Sequence, residues 1–229
     1  MPYKNLLFDL DRTLWDFESN TIETLRDIYD QFQLRLHFES FHHFYTTYRS
    51  INEKQWELYR NNRISKDTLR KSRFFLTLKE VGYEDNELAD EIGTIYIEKT
   101  PLKTKIFPHT HESLTYLKPK YRLFILTNGF KEVQHKKLTG THLDQYFEAV
   151  ITSEDAGHQK PHLEFFTYVF DTLKIEPSES IMIGDALKVD IIGARNAGVD
   201  TVFFNPEDSV HKEIVTFEIQ SLKELIHIF

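Results

Sequence analysis

The chain has no cysteine in its 229 residues. Disulfides, thiolate nucleophiles and cysteine-held zinc or iron–sulfur sites are therefore excluded. Positive charge is not in surplus either: 28 Lys and Arg against 36 Asp and Glu leave a net charge of -8. A nucleic-acid polymer or an anionic membrane finds no basic block to bind, although one metal ion and one lysine can reverse the field locally for a small anion. No apolar run approaches membrane-spanning length, and the opening stretch from Met1 to Asn5 carries no apolar signal-like segment. The expectation is a cytoplasmic protein, a monomer or weak homo-oligomer, with no membrane and no nucleic-acid polymer as partner.

What is present reads as a soluble globular enzyme, 40% hydrophobic and 28% charged. The 19 Phe residues point to core packing. Asn5–Leu10 is a short apolar run of the kind that forms a buried parallel strand. From 19 to 99 the character changes to long amphipathic segments with almost no Gly or Pro. Ile22, Leu25, Ile28, Tyr29 and Phe32 fall at helical spacing, and four or five helices are expected there. After Pro101, strand-like runs at 122–126, 149–151, 180–183 and 201–204 alternate with amphipathic segments near 130–139, 162–173 and 187–197. That alternation predicts an α/β core with a parallel sheet and right-handed crossovers. The helical block is then an insertion after the first strand. The expected division is a core of 1–15 with 100–229 and a helical domain of 16–99.

In such a sheet, ligands bind at the carboxyl ends of the strands. Unusual polar residues occupy four of those ends. Asp9 and Asp11 are two apart on an extended segment, so they share a side; two close carboxylates repel unless a cation or proton intervenes. A helix-capping turn with Thr13 is the plainer reading of that stretch. Thr127-Asn128-Gly129 reads as a hairpin turn in isolation, but the residues after it have helical spacing, so a strand, tight loop and helix are expected, with donors free for an oxyanion. Lys160 precedes a helix expected to begin at Pro161; a loop lysine is ordinarily solvated. Gly184-Asp185 follows a buried strand, with Gly184 permitting a sharp turn, and Asp190 falls inside the next helix.

The four converge on one chemistry. Oxygen ligands from Asp9, Asp11 and Asp185 suit Mg²⁺, while Thr127, Asn128 and Lys160 offer hydrogen bonds and positive charge to a phosphoryl group. A carboxylate nucleophile with a carboxylic acid two residues on can make and then break an acyl phosphate.

These motifs resemble those of the haloacid dehalogenase superfamily: an Asp-x-Asp-x-Thr segment, a Ser or Thr after a second strand, a Lys, and a Gly-Asp pair with a further Asp. The resemblance implies a Rossmann-like core with an inserted all-helical cap. It implies Asp9 as nucleophile, Asp11 as general acid/base oriented by Thr13, Thr127 and Asn128 on phosphoryl oxygens, and Lys160 balancing charge. Mg²⁺ would be held by Asp9, the Asp11 backbone carbonyl and Asp185, with Asp190 in or near its outer shell. The dehalogenase branch lacks the second Asp of the first motif, so Asp11 favours phosphate chemistry.

Residues 51–59 and 63–74, with the Leu126–Phe130 and Asn196–Val199 segments, are similar to bacterial pyrimidine 5′-nucleotidases of the superfamily. The expected substrate is a small phosphorylated metabolite, a nucleoside 5′-monophosphate foremost. Trp15, Asn52, Trp56 and Arg73 are candidates for base or phosphate contact, with helix packing as the competing reading. A sugar-phosphate phosphatase or phosphomutase and a catalytically silent binding protein are the alternatives.

Overall fold

The computed structural model describes residues 3–229. Six parallel strands form one sheet: β1 (Asn5–Phe8), β2 (Arg122–Thr127), β3 (Ala149–Thr152), β4 (Ser180–Gly184), β5 (Asp200–Phe204) and β6 (Phe217–Ile219). Their spatial order is β3-β2-β1-β4-β5-β6. The chain thus winds outward from β1 to β3, returns, and winds the other way from β4. Strand β6 goes beyond the sequence reading; its three residues alternate apolar and charged and are too few to register as a run.

Both faces of the sheet are buried, as parallel sheets require. Leu6, Phe8, Leu123, Ile125, Ile181 and Ile183 pack on one side; Leu7, Phe124, Leu126 and Met182 pack on the other. The alternation along each strand is the period-2 rule of the pleat applied to uniformly apolar segments.

The chain divides into two compact units, one holding everything up to Phe17 together with Thr104–Phe229, the other Glu18–Lys103. The second unit is built on α1 (Phe17–Gln31), α2 (Phe41–Arg60), α3 (Lys66–Lys79) and α4 (Asn86–Lys99). Local chemistry starts three of them: the side chains of Ser40, Ser65 and Asp85 accept the backbone N–H groups of His43, Thr68 and Leu88. Their apolar faces meet in an aromatic core that includes Phe38, Phe44, Tyr48, Phe74 and Tyr96. Phe32, Phe41 and Phe75 pack against it from partly buried positions.

The first unit adds α5 (Thr110–Leu117), α6 (Lys131–Gly140), the single turn α7 (Ser153–Ala156), α8 (Leu163–Leu173), α9 (Ile192–Asn196) and the short α10 (Leu225–Ile228). Two sequence expectations shift. The helix after Lys160 begins at Leu163 rather than Pro161, with His162 at its N-cap. The segment near 187–197 opens as a wide π-type turn, Leu187–Ile191, before α9 continues it. Among the described residues, no helix is long and apolar enough to cross a membrane.

Candidate active site

The winding direction reverses between β1 and β4, which makes the carboxyl ends of these neighbours the topological switch point. Asp9 directly follows β1 and Asp185 directly follows β4, while β2 ends on Thr127. Lys160 enters from the loop between α7 and α8. Its Nζ donates to Asp9 Oδ1 at 2.7 Å, Asp190 Oδ1 at 2.7 Å and the Leu126 carbonyl at 2.6 Å. Three ammonium protons meet three acceptors, and the residue is 1% exposed. This loop lysine is fully enclosed, against the usual fate of its type.

Carboxylate oxygens of Asp9, Asp185 and Asp190 all lie within 4.8 Å of one another. Burial pushes the Asp9 carboxyl well above the usual range; Lys160 pulls it back, and Asp190 and Asp185 push it further up. Burial, then the charge of Asp190, pushes Asp185 up to about 7 against Arg12 and the Thr13 hydroxyl, which donates to Asp185 Oδ1 at 3.1 Å. Burial works against the Lys160 ammonium, but Asp190 and Asp9 outweigh it and hold its pKa above the ordinary lysine value. Asp9 and Asp190, both buried, share Lys160, and the partly buried Asp185 lies against them with the charge of Arg12 in its favour, so acidic groups outnumber cations in the cluster. Hard oxygen donors short of a cation fit a divalent ion such as Mg²⁺.

Within the cluster the carboxylates are not equivalent. Asp190 already accepts from Lys160 on Oδ1 and from the Ala186 N–H on Oδ2 at 3.1 Å. Gly184 makes room for it: a Cβ there would stand 2.5 Å from Asp190 Oδ2. Close approach of Asp190, rather than a sharp turn, is what this glycine provides.

Asn128 has a use beyond the one expected. Its Oδ1 accepts the Lys160 N–H and its Nδ2 donates to the Lys160 carbonyl, both at 2.8 Å. The amide is committed to the loop that carries Lys160. Thr127 Oγ1 accepts from the Gly129 N–H at 3.0 Å and from Gln134 Nε2 at 2.7 Å. With two donors aimed at its oxygen, the Thr127 hydroxyl keeps its own proton to donate.

Asp11 does not join the carboxylate cluster by its side chain. Its Oδ1 accepts from Lys137 Nζ at 2.6 Å and its Oδ2 from Gln134 Nε2 at 2.8 Å. Gln134 and Lys137 were outside the sequence reading. The available signal was their i, i+3 spacing on the helix that follows Thr127, which puts both on one face.

Trp15 is corrected outright: its ring is fully buried in the core beneath the Lys137 ammonium, 4.3 Å from Nζ, and no face is open for a base. In the helical unit, Arg73 is 4% exposed, donates from Nη1 to Asn52 Oδ1 at 3.2 Å and lies over the Tyr96 ring at 4.8 Å. Asn52 and Arg73 are thus brought together, inside the packing. Trp56 is half-buried and meets Tyr59 edge-on.

The model of the haloacid dehalogenase-like hydrolase family matches residues 6–204. The chain is 32% identical to the HAD-hydrolase YfnB of Bacillus subtilis over 99% of its own length and 95% of that protein. It is 28% identical to the pyrimidine 5′-nucleotidase YjjG of Escherichia coli, over 98% of this chain and 97% of the relative. The crystal structure of YfnB bound to magnesium superposes with a TM-score of 0.90 at 31% identity, covering 99% of this chain and 98% of that one.

Proposed function

The chain belongs to the haloacid dehalogenase-like hydrolase family, and from that premise we propose that it is a magnesium-dependent phosphatase of small phosphomonoesters, pyrimidine nucleoside 5′-monophosphates foremost. The observation that carries this reading is the Lys160 ammonium held between Asp9 and Asp190 at the switch point, with Asp185 in the same cluster. The nucleotidase YjjG and the magnesium-bound YfnB support the finer assignment.

Asp9 is the nucleophile. Its carboxylate oxygen forms a bond to phosphorus as the bond from phosphorus to the ester oxygen breaks, and Asp11, which enters this half in its acid form, gives its proton to that departing oxygen. In the second half, Asp11 takes a proton from water, the water oxygen bonds to phosphorus, and the Asp9–phosphoryl bond breaks to release phosphate. Thr127 donates its hydroxyl proton to a phosphoryl oxygen, and Lys160 keeps Asp9 in place and offsets charge. Asp9 and Asp185 would be the carboxylates that hold Mg²⁺, since both Asp190 oxygens are already engaged. When bound, Mg²⁺ supplies positive charge to the phosphoryl oxygens.

The test is phosphate release by Asp9→Asn and Asp11→Asn proteins whose folding is checked by circular dichroism. Asp9→Asn should be inactive; Asp11→Asn should lose roughly 10²–10⁴-fold, the usual worth of proton transfer. An Asp9→Asn protein turning over at the wild-type rate overturns the covalent route.

A further inference from the structure

One helix grips both oxygens of the Asp11 carboxyl. Lys137 approaches Oδ1 at 2.6 Å and Gln134 approaches Oδ2 at 2.8 Å, from positions three apart on α6. Helix packing alone does not call for either residue. Lys137 is buried beside a partly exposed Asp11, and burying a lysine against a carboxylate gains little over well-packed apolar side chains of similar volume. Gln134 is completely enclosed. Its Nε2 spends one proton on Asp11 and the other on Thr127 Oγ1, while its Oε1 is buried with no hydrogen-bond partner. An orphaned buried acceptor is destabilising. Turning the amide over would set Oε1 against the Asp11 carboxylate, so the cost is carried in the orientation that serves Asp11 and Thr127. Gly129 is shaped to the same end: a Cβ there would stand 1.7 Å from Gln134 Nε2.

We propose that Gln134 and Lys137 are positioning residues that fix the direction of the Asp11 carboxyl for proton transfer at the leaving oxygen. Gln134 also ties that direction to Thr127, the donor to the phosphoryl group. The inference rests on the phosphatase reading above. It has a consequence that a structural role lacks. Proton delivery matters in proportion to the basicity of the departing oxygen: a nucleoside 5′-oxygen needs it, and 4-nitrophenolate leaves without it. Loss of the grip therefore steepens the dependence of kcat/KM on the leaving group, because kcat/KM reports the step in which Asp9 displaces that group.

The experiment uses the full chain with Mg²⁺, uridine 5′-monophosphate, and a series of aryl phosphates ending in 4-nitrophenyl phosphate. Lys137→Met and Gln134→Leu should lower kcat/KM for the nucleotide about 10²-fold, the lower end of general acid–base assistance, and that for 4-nitrophenyl phosphate by less than about fivefold. Lys137→Arg should recover most of the nucleotide activity. Gly129→Ala, whose Cβ would displace Gln134, should reproduce the pattern of Gln134→Leu and serves if either of the first two variants fails to fold. An equal loss on every substrate, or no loss, overturns the positioning role while leaving the phosphatase reading intact. A wild type that hydrolyses none of these esters overturns both.

Discussion

The side chain of Asn128 and the backbone of Lys160 exchange two hydrogen bonds of 2.8 Å, which latch the loop after α7 to the end of β2. The latch explains how a flexible residue type is delivered to one point: with its backbone held, the Lys160 side chain reaches Asp9, Asp190 and Leu126 together. Asn128→Ala removes both bonds and leaves a Lys160 N–H without its acceptor. The expected cost is about 1–3 kcal/mol of stability, read by urea denaturation, with kcat/KM down by more than about tenfold. Were Asn128 simply a phosphate ligand, KM would rise at unchanged stability.

Asp185 makes the metal-free protein sensitive to pH. Its carboxyl stands near 7 in the fold against an ordinary 3.8. Ionisation is thus disfavoured in the folded state, so the stability linked to this group is whole below 3.8 and is lost as pH rises through about 7. Asp185→Asn cannot ionise. In excess chelator its Tm should climb relative to wild type across that window, and added Mg²⁺ should reverse the ranking by binding the wild type alone. Chelator should also abolish activity, with Mg²⁺ restoring it and Ca²⁺, which takes more ligands at longer distances, doing so poorly. A Tm difference that is flat with pH, or full activity in chelator, goes against the site as drawn.

Substrate choice is expected to depend on the helical unit, because the carboxylate, lysine and threonine groups at the carboxyl ends of the strands address only phosphate and metal. Trp56 is the candidate that is only partly buried. Trp56→Ala should alter the ranking of nucleotides by kcat/KM more than it alters hydrolysis of 4-nitrophenyl phosphate, with pyrimidine monophosphates heading the wild-type ranking. Arg73→Ala should chiefly destabilise, since Arg73 is enclosed against Asn52 and Tyr96. A wild type preferring sugar phosphates tenfold or more, about 1.4 kcal/mol at the transition state, displaces the nucleotidase reading.

The parallel sheet and the positions of Asp9, Asp11, Thr127, Lys160 and Asp185 were legible in the sequence. A polar residue that interrupts the end of an apolar run is a local signal, and apolar runs alternating with amphipathic segments dictate strands and crossovers without knowledge of contacts. What each polar group touches was decided by the tertiary structure alone. Gln134 and Lys137 meet Asp11 across 123 and 126 residues of chain, and their i, i+3 spacing says that they share a helix face without saying what that face meets. That the Asn128 amide latches the loop of Lys160, 32 residues away, is likewise visible only in the fold. Trp15 became the floor under Lys137 rather than a platform for a base because the core enclosed it on all sides. Hydrophobic patterning is a property of neighbours in sequence and specifies elements. Hydrogen-bond partnership and burial are properties of neighbours in space, and only the packed sheet and its helices create them.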